Sequence, residues 1–147
     1  MTEEFCILIH YHEIALKGKN RSWFERRLIK NIKRQLNGLP FTKIQLNAAR
    51  IFCFGIDESL WNDYAQRLRK VMGIKHAILM TQVKSDIDTI QSVAAAQLKG
   101  LEFSSFRVSA RRQYKNFHLS SQEINILVGQ HLQSIYSKPV KLKNADV

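Results

Sequence analysis

The chain has 147 residues, 45% of them hydrophobic, which is enough apolar material to bury a core in one domain or two small ones and excludes a disordered tail. Its 23 lysines and arginines against 12 aspartates and glutamates leave a net charge of +11, a field that draws polyanions and makes nucleic acid or an anionic membrane the natural partner. Apolar runs such as Ala77 to Met80 are far too short to span a bilayer and Met1 to Glu4 carries acids, so neither a membrane segment nor a signal peptide is expected.

Phe5 to Tyr11 reads as a first strand, followed by the polar loop Lys17-Gly18-Lys19-Asn20-Arg21. A helix should start there. Asn20 or Ser22 can accept from its first amides, Ser22 and Glu25 have capping-box spacing, and Phe24, Leu28, Ile32 and Leu36 form one apolar stripe before Gly38 and Pro40 end it. Lys43 to Asn47 and Arg50 to Gly55 predict two strands joined at Ala48-Ala49, a tight hairpin without glycine. A second helix from about Glu58 to Met72 repeats Leu60, Tyr64, Leu68 and Met72 and stops at Gly73, before a strand from Lys75 to Val83. This order predicts a ferredoxin-like βαββαβ domain over residues 1–83, with two helices on one face of an antiparallel sheet.

Lys84 and Ser85 are the expected seam, short enough that the two units should pack together. Beyond it come a helix from Asp86 to Lys99 (Ile87, Ile90, Ala94, Leu98), a strand from Ser105 to Ala110, a helix from Ser121 to Tyr136 behind a Ser120/Glu123 capping box, and a strand from Val140. Alternating elements predict a partly parallel α/β sheet in residues 84–147, and an α+β chain as a whole.

The first part, to residue 84, holds 15 basic and 7 acidic residues, net +8; the second holds 8 and 5, net +3. Local clusters matter more than these averages. Arg107, Arg111, Arg112 and Lys115 lie in a stretch from Phe103 to Gln122 that has no acid, with Tyr114, Asn116 and Phe117 interleaved, so phosphate contacts and stacking surfaces are both on offer. The stretch ends at a capped helix start, where backbone amides also favour an anion. In the first part, Lys17, Lys19 and Arg21 surround Gly18, and Arg26, Arg27, Lys30, Lys33 and Arg34 line the polar side of the helix, which reads equally as a phosphate contact or a solvated face. Lys138, Lys141 and Lys143 extend the positive surface.

Catalytic machinery is not legible. There is no Walker-type phosphate loop, dinucleotide fingerprint or nucleophile elbow. Cys6 and Cys53 sit in apolar runs without CxxC spacing and read as buried structural thiols of a reducing cytoplasm. His10 and His12 have ligand-like spacing but no third ligand nearby, so no metal is expected; Glu13 reads as a loop anchor rather than a catalytic acid.

Three stretches in order carry a resemblance: Glu13-Ile-Ala-Leu-Lys-Gly-Lys-Asn-Arg21 with Phe24-Glu25; Val108-Ser-Ala-Arg-Arg112 with Lys115, Phe117, Ser120, Ser121 and Glu123-Ile-Asn125; and Leu142-Lys-Asn-Ala-Asp-Val147. Together they resemble the amino-terminal region of the tRNA 4-thiouridine synthetase family, over nearly the whole chain. His12, His118, Lys141 and Ala145 depart from the pattern. The resemblance implies a ferredoxin-like domain followed by a THUMP domain, both gripping tRNA, with the THUMP domain recognising the acceptor stem and 3′ end for 4-thiouridine formation, a chemistry linked in that family to thiamine biosynthesis. It places the loop from Lys17 to Arg21 and the segment of Arg111, Arg112 and Lys115 on the tRNA-facing surface. With the charge pattern, the RNA-binding candidates are Lys17, Lys19, Asn20, Arg21, Arg107, Arg111, Arg112, Lys115, Asn116, Lys143 and Asn144.

The sequence stops at Val147, short of the closing THUMP strands and of the ATP-using domain of that family. The THUMP part is therefore expected to be incomplete, with an open sheet edge near Val140 to Val147 at which a second copy can pair as a homodimer. No cofactor is expected in this chain; ATP and a sulfur donor would enter only with a downstream catalytic domain, in the same protein or in trans. Two other functions fit the same residues: a stand-alone adaptor presenting tRNA to a separate modifying enzyme, and a basic domain that meets an acidic protein.

Overall fold

The structure, a computed structural model, describes residues 4–12 and 19–147. The chain divides into two compact units, Met1–Gln82 and Val83–Val147.

In the first unit, β1 (Glu4–Tyr11), β2 (Lys43–Asn47), β3 (Arg50–Phe54) and β4 (Ile74–Gln82) form one antiparallel sheet in the order β2-β3-β1-β4. Helices α1 (Asn20–Gln35) and α2 (Trp61–Arg69) follow β1 and β3, which completes the βαββαβ order. Side chains alternate across a strand, so Ile7, Ile9 and Tyr11 of β1 and Ile51 and Cys53 of β3 point to one side and join Leu28, Ile32, Leu36, Tyr64 and Leu68 of the helical layer in the core. The other side of the sheet carries Cys6, Leu8, Phe52, Phe54, Ile78 and Met80, none of which belongs to that core.

Ala48 and Ala49 turn the β2–β3 hairpin with φ of 48° and 62°. Both are left-handed, as a two-residue hairpin of matching twist requires, and without glycine the turn is strained by about 1–2 kcal/mol per residue. Gly73 precedes β4 at φ +97°, and a Cβ there would stand 3.0 Å from the Phe24 ring; the absent side chain lets the turn close against α1.

Two expectations for this unit need correction. The Ser22/Glu25 capping box does not form: α1 begins earlier, at Asn20, with Lys19 in the capping position and no side-chain cap, and Glu25 is buried instead, accepting from Arg21 Nε at 2.6 Å. Nor does a single helix run to Met72. A 3₁₀ turn at Glu58–Leu60, capped by Asp57, precedes α2, and the helix ends at Arg69. With the helical period gone, Val71 faces inward and Met72 is 90% exposed.

The second unit pairs α3 (Ile87–Leu98) with α4 (Ser121–Tyr136). Asp86 caps α3 by accepting from Thr89 N at 2.8 Å, and the Ser120/Glu123 box caps α4. Phe103, Phe106, Ile124, Val128 and Leu132 form the core, with Ile87, Ile90, Ala94, Leu98 and Tyr136 around them. The expected strands from Ser105 to Ala110 and from Val140 contract to a single parallel bridge, Phe106–Val140. The backbone there is still paired: Phe106 N donates to Pro139 O and Lys141 N to Phe106 O, while Arg107 N donates to Val147 O at 2.8 Å. Asn144, at φ 54°, turns the chain back between those contacts, so residues 139–147 touch the 105–107 segment twice and briefly rather than running beside it.

Candidate nucleic-acid interface

The acid-free stretch leaves the core at Phe106 and is held to α4 by Asn125, whose Oδ1 accepts from Ala110 N at 2.7 Å. Beyond that clamp the two adjacent arginines part. Arg112 turns back on its own loop, its guanidinium donating to Lys115 O at 3.3 Å and Phe117 O at 3.2 Å. Arg111 is exposed and makes no hydrogen bond or ion pair among the described residues. Lys115 and Asn116 are exposed on the closed loop, Tyr114 is 79% exposed, and Phe117 packs on His118 with ring centroids 4.7 Å apart. Arg112 therefore shapes a loop whose outward groups are cationic and aromatic.

The helix start beside this loop carries the expected Ser120/Glu123 capping box, which occupies amides that an external anion would need. Ser120 Oγ accepts from Glu123 N at 3.1 Å and the Glu123 carboxylate accepts from Ser120 N at 2.6 Å, so the helix carries its own anion. Those bonds, with the nearby Arg112 and His118, hold the Glu123 carboxyl below its ordinary range. An anion meeting this loop would be left to its side chains.

Arg107 approaches the carboxy-terminal segment, its guanidinium donating to Leu142 O at 3.1 Å, which brings it near Lys143 and Asn144, both exposed. It also borders a groove of about 430 Å³ lined by the amides of Gln122, Asn125, Gln130 and Gln133 and by Ile126, Val140 and Leu142. Side-chain amides both donate and accept, as nucleobase edges do.

Lys19, Asn20 and Arg21 begin α1 in the first unit, all exposed; Lys17 and Glu13 lie outside the described residues. Arg21 is committed within the unit, since Glu25 and the Tyr11 hydroxyl raise its pKa further. Burial first, then the Glu25 charge, pushes the Tyr11 phenol up as well, with Arg21 opposing. A register shift follows His10, whose ring lies against that of His76 with centroids 4.5 Å apart and planes tilted by 39°. Burial raises the Cys53 thiol to about 12, far from thiolate chemistry at neutral pH.

Asn125 was missing from the candidates although it sits in the second motif; a half-buried amide directly beside the buried Ile124 on α4 was the available signal.

Two family models match the chain: the ThiI ferredoxin-like domain at residues 6–77 and the THUMP domain at residues 84–147. The chain belongs to these two domain families. Over 146 residues it is 36% identical to a probable tRNA sulfurtransferase of Listeria innocua, a match covering 96% of this chain and 36% of that protein. Among solved structures, a Pyrococcus horikoshii Ot3 protein superposes with a TM-score of 0.80 at 31% identity, over 97% of this chain and 48% of that one. A 4-thiouridine synthetase–RNA complex with bound ATP gives 0.77 at 27% identity, over 98% and 37%. The chain thus spans little more than a third of the length of the curated relative, and the ferredoxin-like and THUMP units account for it. No helix among the described residues is long and apolar enough to cross a membrane.

Proposed function

We propose that the chain binds tRNA, with Arg107, Arg111 and Lys115 of the THUMP unit as the principal phosphate contacts, the start of α1 as a further one, and the acceptor stem with its 3′ end as the part held. The carrying observation is the loop at 110–117, stapled by Arg112 and Asn125 so that Arg111, Lys115 and Tyr114 face outward with no acid between Phe103 and Gln122. The likeness to a 4-thiouridine synthetase crystallised with RNA supports the choice of RNA over an acidic protein. In this reading the chain is the recognition portion of a 4-thiouridine-forming sulfurtransferase. ATP and the sulfur donor belong to a catalytic domain downstream or in trans.

Binding of whole tRNA, and of the same tRNA without its 3′ terminal nucleotides, across a salt series tests this. With about four to six phosphates neutralised, log Kd should change with log salt by roughly 3 to 5, and Arg111→Ala with Lys115→Ala should lower that slope by about 2. The shortened tRNA should bind more weakly. Equal binding of both RNAs removes the 3′-end assignment, and an unchanged slope removes the loop.

A further inference from the structure

The open face of the ferredoxin-like sheet has a construction that the basic loops do not explain. Phe52 and Phe54 stand partly exposed on β3 with ring centroids 6.0 Å apart and planes only 13° from parallel, two stacked rings on one face of the sheet. Ile78 and Met80, 44% and 37% exposed, continue it on β4 across the buried Leu8 and Cys6. Cations bracket the pair: Lys43 Nζ lies 5.1 Å from the Phe54 ring centroid, and Arg50 precedes Phe52 on the same side of the strand. Glu4, at the end of β1, is the single acid among the described residues of this face.

Apolar residues alone would suit any protein lid. A lid of protein, however, would have to carry its own acids to meet Lys43 and Arg50, since this face supplies almost no countercharge, whereas a nucleic-acid strand brings a phosphate with every base. A duplex hides its base faces in its own stack; a single strand presents them, and parallel aromatic rings flanked by cations on a four-stranded sheet are suited to take them up. We propose that this open face binds single-stranded RNA, two neighbouring bases stacking on Phe52 and Phe54 while Lys43 and Arg50 hold the adjoining phosphates. The proposal shares with the tRNA reading only the premise that RNA is the polyanion, and it uses none of the same side chains. Because every base has a π face, the site accepts any short sequence.

The test uses the full chain, a labelled single-stranded RNA hexamer and a duplex of equal length, followed by fluorescence anisotropy at low salt. Phe52→Leu with Phe54→Leu keeps an apolar cover over Leu8 and Cys6 but removes the rings; hexamer affinity should fall about 10- to 100-fold while duplex affinity stays as it was. Phe52→Tyr with Phe54→Tyr should bind like the parent chain. In the parent, a 5-iodouridine hexamer should photocrosslink to residues 43–54, a readout that needs no variant to fold. Unchanged hexamer affinity in the leucine pair, or crosslinks confined to other residues, overturns the proposal. A parent chain that binds no hexamer overturns it in favour of a protein partner for this face. Loss of tRNA binding on changing Arg111 and Lys115, with no effect from the phenylalanines, leaves the tRNA reading standing without it.

Discussion

The ferredoxin-like unit is ordered by ladders, with β1 paired on both sides and a core of side chains at or near zero exposure. The THUMP unit has one isolated bridge and two helices, and its irregular backbone is held by polar staples: Asn125 to Ala110, Arg112 to Lys115 and Phe117, Asp146 to Ser104. Ladder bonds depend little on which side chains decorate the strand, whereas each staple depends on one residue. Changes of side chain should therefore act through packing in the first unit and through single hydrogen bonds in the second.

The largest effect should come from the core. Ile9, fully buried between β3 and β4, cannot be compensated by a strand fixed on both sides, so Ile9→Ala should cost about 3–5 kcal/mol in urea unfolding. Leu132 of α4 is 4% exposed in a helix pair that can close on a cavity, so Leu132→Ala should fall nearer about 2–3 kcal/mol. A Leu132 loss equal to that of Ile9 would break the contrast between a rigid and a yielding core.

A smaller effect sharpens the contrast at the staples. Asn125→Ala leaves the Ala110 amide without its acceptor and should cost about 1–3 kcal/mol, with faster hydrogen exchange at Ala110 and weaker RNA binding although no cation is touched. Protection of Ala110 at the parent level would mean that the segment is ordered by something other than Asn125.

These two cases also separate what could be read in advance. Period-two and helical patterning located β1 to β4 and α1 to α4, because each element buries one face and its residue types follow that face. Ser120 and Glu123 fixed the start of α4 because a capping box is local. Ser22 and Glu25 have the same spacing, yet Glu25 is buried and paired with Arg21; the tertiary burial that overrides a local cap leaves no mark on the spacing. In the THUMP unit, the β-rich 105–110 segment suggested a strand, but a strand needs a neighbour over its whole length, and residues 139–147 leave that segment after Lys141 and return to it only at Asp146 and Val147. The cationic character of the loop was plain in the Arg111-Arg112 doublet, whereas the opposite roles of its members depend on which carbonyls each side chain can reach. Arg50, Phe52 and Phe54, alternating with the buried Ile51 and Cys53, were legible as a second face, and only the ring geometry makes them a platform.

The smallest effect distinguishes the units by acid. The carboxyls held below their ordinary range among the described residues, Asp86, Glu123 and Asp146, all belong to the THUMP unit, each through hydrogen bonds to backbone and hydroxyl groups. A carboxyl whose folded pKa lies below its unfolded value contributes stability that is complete above the unfolded value, about 4 for these groups, and is lost as pH falls through the folded one. The helices of the THUMP unit should therefore lose hydrogen-exchange protection before the ferredoxin-like sheet as pH is lowered from 5 toward about 3. Glu123→Gln keeps an oxygen that can accept from Ser120 N but has no proton to gain, so its urea midpoint should shift less between neutral and acid pH than that of the parent. An equal shift in both chains would place the acid response at Asp86 and Asp146, and sheet protection lost first would show that the unit built on polar staples is not the one that acid releases.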